Sequence, residues 1–121
     1  MAIFIDKPAI APSAGNQPKL IEEFVGRVNS GESRLSIARM RSPEGWTEPG
    51  QQPGFDEYTI VLAGVVHARL KDRELEVKAG QALMVPSGEW VQYSTPYSGG
   101  AEYVSVCLPA FSPQTVNRDK E

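Results

Sequence analysis

Pro49–Gly64, PGQQPGFDEYTIVLAG, and Gly80–Thr95, GQALMVPSGEWVQYST, decide the reading of this chain. Each is a Gly- and Pro-rich turn running into a short strand pattern rich in Tyr, Thr, Ile and Val. Tyr58–Leu62 is an uninterrupted apolar run, which predicts a strand buried on both faces. Gln81–Val85 reads the same way, Pro86-Ser87-Gly88 as a turn, and Glu89–Thr95 as the next strand.

Working outward, Val66, Ala68 and Leu70 alternate with Val65, His67 and Arg69. Lys71–Arg73 then turns the chain into a return strand carrying Leu75 and Val77. Ala101–Leu108 closes the set. Upstream, Leu35 and Ile37 alternate with Ser36, Ala38 and Met40, and Leu20–Gly26 is a further short strand. Ser42–Gly54 reads as a connection. Ser112-Pro113 is a place for a short helical turn, because proline is pre-organised for a first helical position.

The spacing of Glu57 and Gly64, followed by Gly80, Pro86 and Gly88, resembles the two signature motifs of the cupin superfamily. The fold class implied is all-β, a cupin-type jelly-roll β-barrel or sandwich with an extended N-terminal arm. Residues 1–121 make one domain: 1–19 the arm, 34–108 the barrel core, and 109–121 a tail that either covers the barrel mouth or trails free. The family's metal ligands are usually three histidines and one glutamate. By position this chain offers Gly50, Gln52, Glu57 and Val91, so the resemblance keeps the carboxylate and loses every imidazole. The expectation is no histidine-ligated metal. A divalent ion held through oxygen atoms of Gln52 and Glu57 stays open, because carboxylate and amide oxygens suit manganese or magnesium.

Composition narrows the partners. A length of 121 residues suits one hydrophobic core. A net charge of −3 and the absence of any basic run argue against a nucleic-acid surface. No apolar stretch reaches the ~18 residues of a membrane span. The N-terminus lacks the basic region of a signal peptide, and a single cysteine forms no intrachain disulfide. The expected compartment is therefore the cytoplasm. An open jelly roll leaves sheet edges to cover, so a homodimer is expected, with the arm available to cover them.

The candidate site follows from the retained glutamate. A carboxyl at the start of a buried strand must be paired, hydrogen-bonded or protonated, and burial raises its pKa toward the range useful in proton transfer. If it is not functional, Glu57 is held by Gln52, a backbone amide or a basic neighbour such as Arg39. An inward Val91 carries Tyr93 and Thr95 inward by alternation and sends Trp90 outward. His67 alternates away from the core, and Cys107 reads as a small buried hydrophobe. The expectation is a small organic ligand at Gln52, Glu57, Tyr93 and Thr95, with Glu57 and Tyr93 as candidate catalytic groups. Two other readings stay open: a metal-dependent isomerase or oxygenase using oxygen ligands, and a structural or interaction dimer whose barrel is filled.

Overall fold

The computed structural model describes residues 1–120. They form nine strands and no helix: β1 (Ala9–Ala11), β2 (Leu20–Val25), β3 (Ser36–Ser42), β4 (Trp46–Thr47), β5 (Asp56–Leu70), β6 (Glu74–Lys78), β7 (Ala82–Val85), β8 (Val91–Thr95) and β9 (Ala101–Leu108). All the pairings between these strands are antiparallel, and the sheet curls on itself through the long strand β5. Up to Gly64, β5 pairs with β9 on one side and β7 on the other. From Val65 onward it pairs with β6 and β8 instead. One 15-residue strand thus belongs to both layers of the barrel.

Gly64 is the point of transfer. Its φ is +76°, and a Cβ there would stand 2.1 Å from the Gly100 carbonyl oxygen. Glycine alone satisfies both the left-handed backbone and the approach of β9. Gly100, at φ +63°, has the same relation to Ser42, where a Cβ would meet the carbonyl oxygen at 2.0 Å. Both glycines hold chain crossings.

Inward alternation builds the core, with Trp46, Val61, Val66, Ala68 and Val91 all nearly inaccessible. One expectation is corrected here. Tyr58–Leu62 is not buried on both faces: Glu57, Thr59 and Val61 point inward, whereas Tyr58, Ile60 and Leu62 stand on the outer face. Met84 on β7 joins them opposite Tyr58, so Gln81–Val85 is likewise half-exposed. An apolar run has no period of its own, and antiparallel pairing imposed the alternation. Trp46 also pairs with Thr95 in a short strand inside the expected connection Ser42–Gly54.

Both chain ends join the barrel. Within residues 1–19, β1 adds to β2 as the edge strand of its own sheet. The turn after it returns over β4, where the Asn16 amide donates to the Thr47 carbonyl at 2.7 Å. At the other end, Ser112–Thr115 forms a turn rather than a helix. The tail then runs beside residues 50–54, with Gly54 N–H donating to Thr115 O and Asp119 N–H to Gly50 O, both at 2.8 Å. Edge-to-face packing of Phe111 on Phe55, centroids 5.8 Å apart, fastens the start of the tail.

Candidate functional site

The barrel is not filled. A cavity between its layers offers about 80 Å³ to the centres of water-sized molecules. One water needs ~10–15 Å³ on that measure, so the space suits roughly five to eight waters or an organic molecule of similar size. The inward faces of β2, β3, β5, β8 and β9 wall it, and Pro12 and Ala14 from the N-terminal turn and Phe111 and Arg118 from the tail complete it.

Of the sequence-derived residues, Glu57 and Tyr93 meet there. The Tyr93 hydroxyl donates to Glu57 Oε1 at 2.8 Å, and Cys107 Sγ lies 3.8 Å from Glu57 Oε2. Burial pushes the Glu57 carboxyl above its ordinary range, against the hydrogen bond from Tyr93 and the field of Lys19, which favour the charged form. Burial also pushes Tyr93 well above the usual phenol value, reinforced by the charge of Glu57. Tyr93 is therefore a neutral hydroxyl donor. Glu57, able to hold or release its proton, is the group that can exchange one with a bound molecule. Burial and Glu57 raise the Cys107 thiol too, so it stays protonated and unreactive at neutral pH.

Gln52 and Thr95 lie elsewhere. Gln52 is exposed, and its amide donates to the Gly88 carbonyl at 2.9 Å. The residue facing the cavity is its neighbour Gln51. Reciprocal backbone bonds between Gln51 and Val91, both 2.9 Å, set that register and turn Gln52 outward. The oxygen-ligand pair Gln52 and Glu57 is thus not assembled in one place. Thr95 is fully buried but one strand repeat beyond Tyr93, where its hydroxyl donates to Pro43 O at 2.7 Å. Arg39 is on the outer face in an ion pair with Glu22 at 2.9 Å and does not hold Glu57.

The positions at which the resemblance implies histidine ligands have other contacts. A Cβ on Gly50 would stand 2.2 Å from the Trp90 indole, whose N–H donates to Asp119 at 2.8 Å. Val91 is fully buried in the core. His67 lies outside the cavity, 2.8 Å from Glu74. Among the described residues, no three His, Cys, Asp or Glu side chains converge as a metal site.

The charged and polar groups of the site that escaped the sequence reading include Lys19, Glu48 and Gln51, together with Glu23 on β2 and Arg118 from the tail. Lys19 enters from the residue before β2, its ammonium 4.1 Å over the Trp46 ring and 3.4 Å from the Tyr103 hydroxyl. Burial alone would lower its pKa, but Tyr103, Glu48 and Glu57 outweigh that and hold it above the ordinary lysine value. Burial raises the Glu48 carboxyl, with Lys19 acting the other way. Lys19 shares its face with Ile21 and Glu23, a mixed alternation that marks no site in the sequence.

No family model matches the chain. A Myxococcus xanthus (strain DK1622) protein named endoribonuclease YbeY is 42% identical over 101 residues, covering 84% of this chain but 34% of that protein. The chain therefore spans about a third of that relative's length. Among solved structures, the polyketide cyclase RemF from Streptomyces resistomycificus superposes with a TM-score of 0.76 at 16% identity, covering 100% of this chain and 87% of that one. Oxalate decarboxylase from Bacillus subtilis gives 0.75 at 18% identity, over 94% of this chain and 30% of that one. EutQ of Clostridium difficile gives 0.64 at 22% identity, over 77% and 64%. These likenesses are of fold, and they agree with the glycine, proline and glutamate spacing: the chain is a small cupin-fold barrel.

Proposed function

We propose that the chain binds a small organic molecule inside the barrel, with Glu57 and Tyr93 as its proton-exchanging and hydrogen-bonding wall. One observation carries this reading. Glu48 and Gln51, with relative exposures of 6% and 4%, border the cavity, yet their side chains have no hydrogen-bond partner among the described residues. The polar ends of both keep contact with the cavity space, since His67 Nδ1 is the only fully enclosed side-chain nitrogen or oxygen without a partner among the described residues. Groups held in this way toward a small cavity are complementary to something that enters it.

The test is a protein-observed NMR screen of small polar metabolites against wild type, Glu57→Gln and Ala38→Leu. Ala38 borders the cavity, so the added carbons invade it. Binding that shifts Tyr93 and Trp46 signals, weakens about tenfold in Glu57→Gln, and disappears in Ala38→Leu is the expected result. Affinities untouched by both substitutions would end the reading.

A second reading comes from the name of the Myxococcus protein. RNA cleavage by this chain would need a surface that gathers phosphates, whereas its net charge is −3 and the cavity is too small for a nucleotide. The third shared with that protein is better read as a ligand-binding unit. An isolated chain that cleaves RNA, and loses cleavage in Glu57→Gln, would reverse the order of the two readings.

A further inference from the structure

Glu48 and Lys19 approach one cavity from different elements, and neither has an ion-pair partner among the described residues, although the field of Arg118 also reaches Glu48. Glu48 follows β4. Its backbone is engaged, the N–H donating to Tyr93 O at 3.4 Å and the carbonyl accepting from Gln92 Nε2 at 3.0 Å. Its carboxylate has no ion-pair or hydrogen-bond partner among the described residues. Lys19 makes only long contacts, 3.4 Å to both Met40 Sδ and the Tyr103 hydroxyl, besides lying over the Trp46 ring. Among the described residues no carboxylate reaches ion-pair distance of it either. The two groups are nonetheless close enough for each to shift the other's pKa.

A buried carboxylate and a half-buried ammonium, separated and facing the same space, demand opposite things of a ligand. An anion alone would satisfy Lys19 and repel Glu48. A cation alone would do the reverse. We propose that the ligand is a small zwitterion of the α-amino-acid type, its carboxylate against the Lys19 ammonium and its ammonium against the Glu48 carboxylate. Gln51, also unpartnered at the cavity, supplies an amide to either end. Ile21, Ala38 and Met40 leave an apolar wall for a short side chain. The cavity volume limits that side chain to a few heavy atoms.

This inference rests on the small-molecule reading of the same cavity, and the experiment separates the two. L-Alanine, propionate and ethylamine are titrated against the full chain by NMR, following the Trp46 indole and the Tyr93 ring. Alanine carries both charges, and the others carry one each. Alanine is expected to bind at least about tenfold more tightly than either analogue, since each analogue leaves one charge unpaired. In Lys19→Met the preference for alanine over ethylamine should vanish. In Glu48→Gln the preference over propionate should vanish. Propionate or ethylamine binding as tightly as alanine would overturn the zwitterion assignment while leaving the cavity a ligand site. No alanine-dependent shift would overturn it as well. In that case, a compound from the broader screen whose binding is lost in Ala38→Leu would still uphold the small-molecule reading. Should Lys19→Met unfold the chain, Lys19→Gln, which keeps a polar end, provides the same comparison.

Discussion

Replacing Tyr93 by Phe removes one hydroxyl and keeps the ring that packs in the wall. The lost bond is the 2.8 Å donation to Glu57 Oε1, and no other donor among the described residues reaches that oxygen. Burial has already raised the Glu57 pKa, and Tyr93 is the leading influence that lowers it. The substitution therefore raises it further. A carboxyl whose folded pKa lies above its unfolded value contributes stability in full below the unfolded pKa, and loses it as pH rises through the folded one. The cost of Tyr93→Phe must grow in the same direction. With Glu57 ionised, the missing bond is one to a charged group, about 1.5–3 kcal/mol; with it protonated, about 0.5–1.5 kcal/mol. For a chain of this size 1 kcal/mol moves Tm by about 4 °C, so the losses are about 6–12 °C at alkaline pH and about 2–6 °C at acid pH. Thermal unfolding of wild type, Tyr93→Phe, Glu57→Gln and the double variant at about pH 5 and pH 8 reads this directly. The cycle should give a coupling of about 0.5–3 kcal/mol at the higher pH. Glu57→Gln alone should remove the difference between the two pH values. Equal losses at both, or no coupling, would refute the assignment of a charged Glu57 held by Tyr93.

Two further predictions concern the scaffold. Gly64→Ala and Gly99→Ala both force a residue into left-handed φ, +76° and +85°, but only Gly64 meets a backbone oxygen, while nothing lies within 4 Å of Gly99. Gly99→Ala should cost about 1–2 kcal/mol in urea unfolding and Gly64→Ala distinctly more, because β5 and β9 must separate; equal losses would show that the crossing yields. The outer face bearing Tyr58, Ile60, Leu62 and Met84 is expected to be covered by a second copy of the chain. Light scattering should then give a dimer for wild type and a folded monomer, with Tm lowered by the lost association, for Ile60→Asp, and a monomeric wild type would refute it.

The sequence by itself determined the barrel. Glycines at chain crossings, period-two alternation and turn residues are local constraints, and they place Gly64 and most of the strands correctly. It also indicated that Tyr93 points inward, by alternation with Val91, and it singled out Glu57 by motif spacing rather than by any period in the apolar run that follows it. Loops carry no such period, which is why Gln52 was expected in the cavity and Gln51 occupies it. One backbone bridge to Val91 made that choice. The outward face of Tyr58–Leu62 and the space at Gly50 taken by Trp90 depend on partners distant in sequence. Lys19 and Glu48 stand 29 residues apart in elements that look unremarkable separately. Only the closing of the N-terminal turn and β4 around the cavity brings their opposite charges to the same space, because side-chain encounters across a barrel are set by strand order and register, which no single segment encodes.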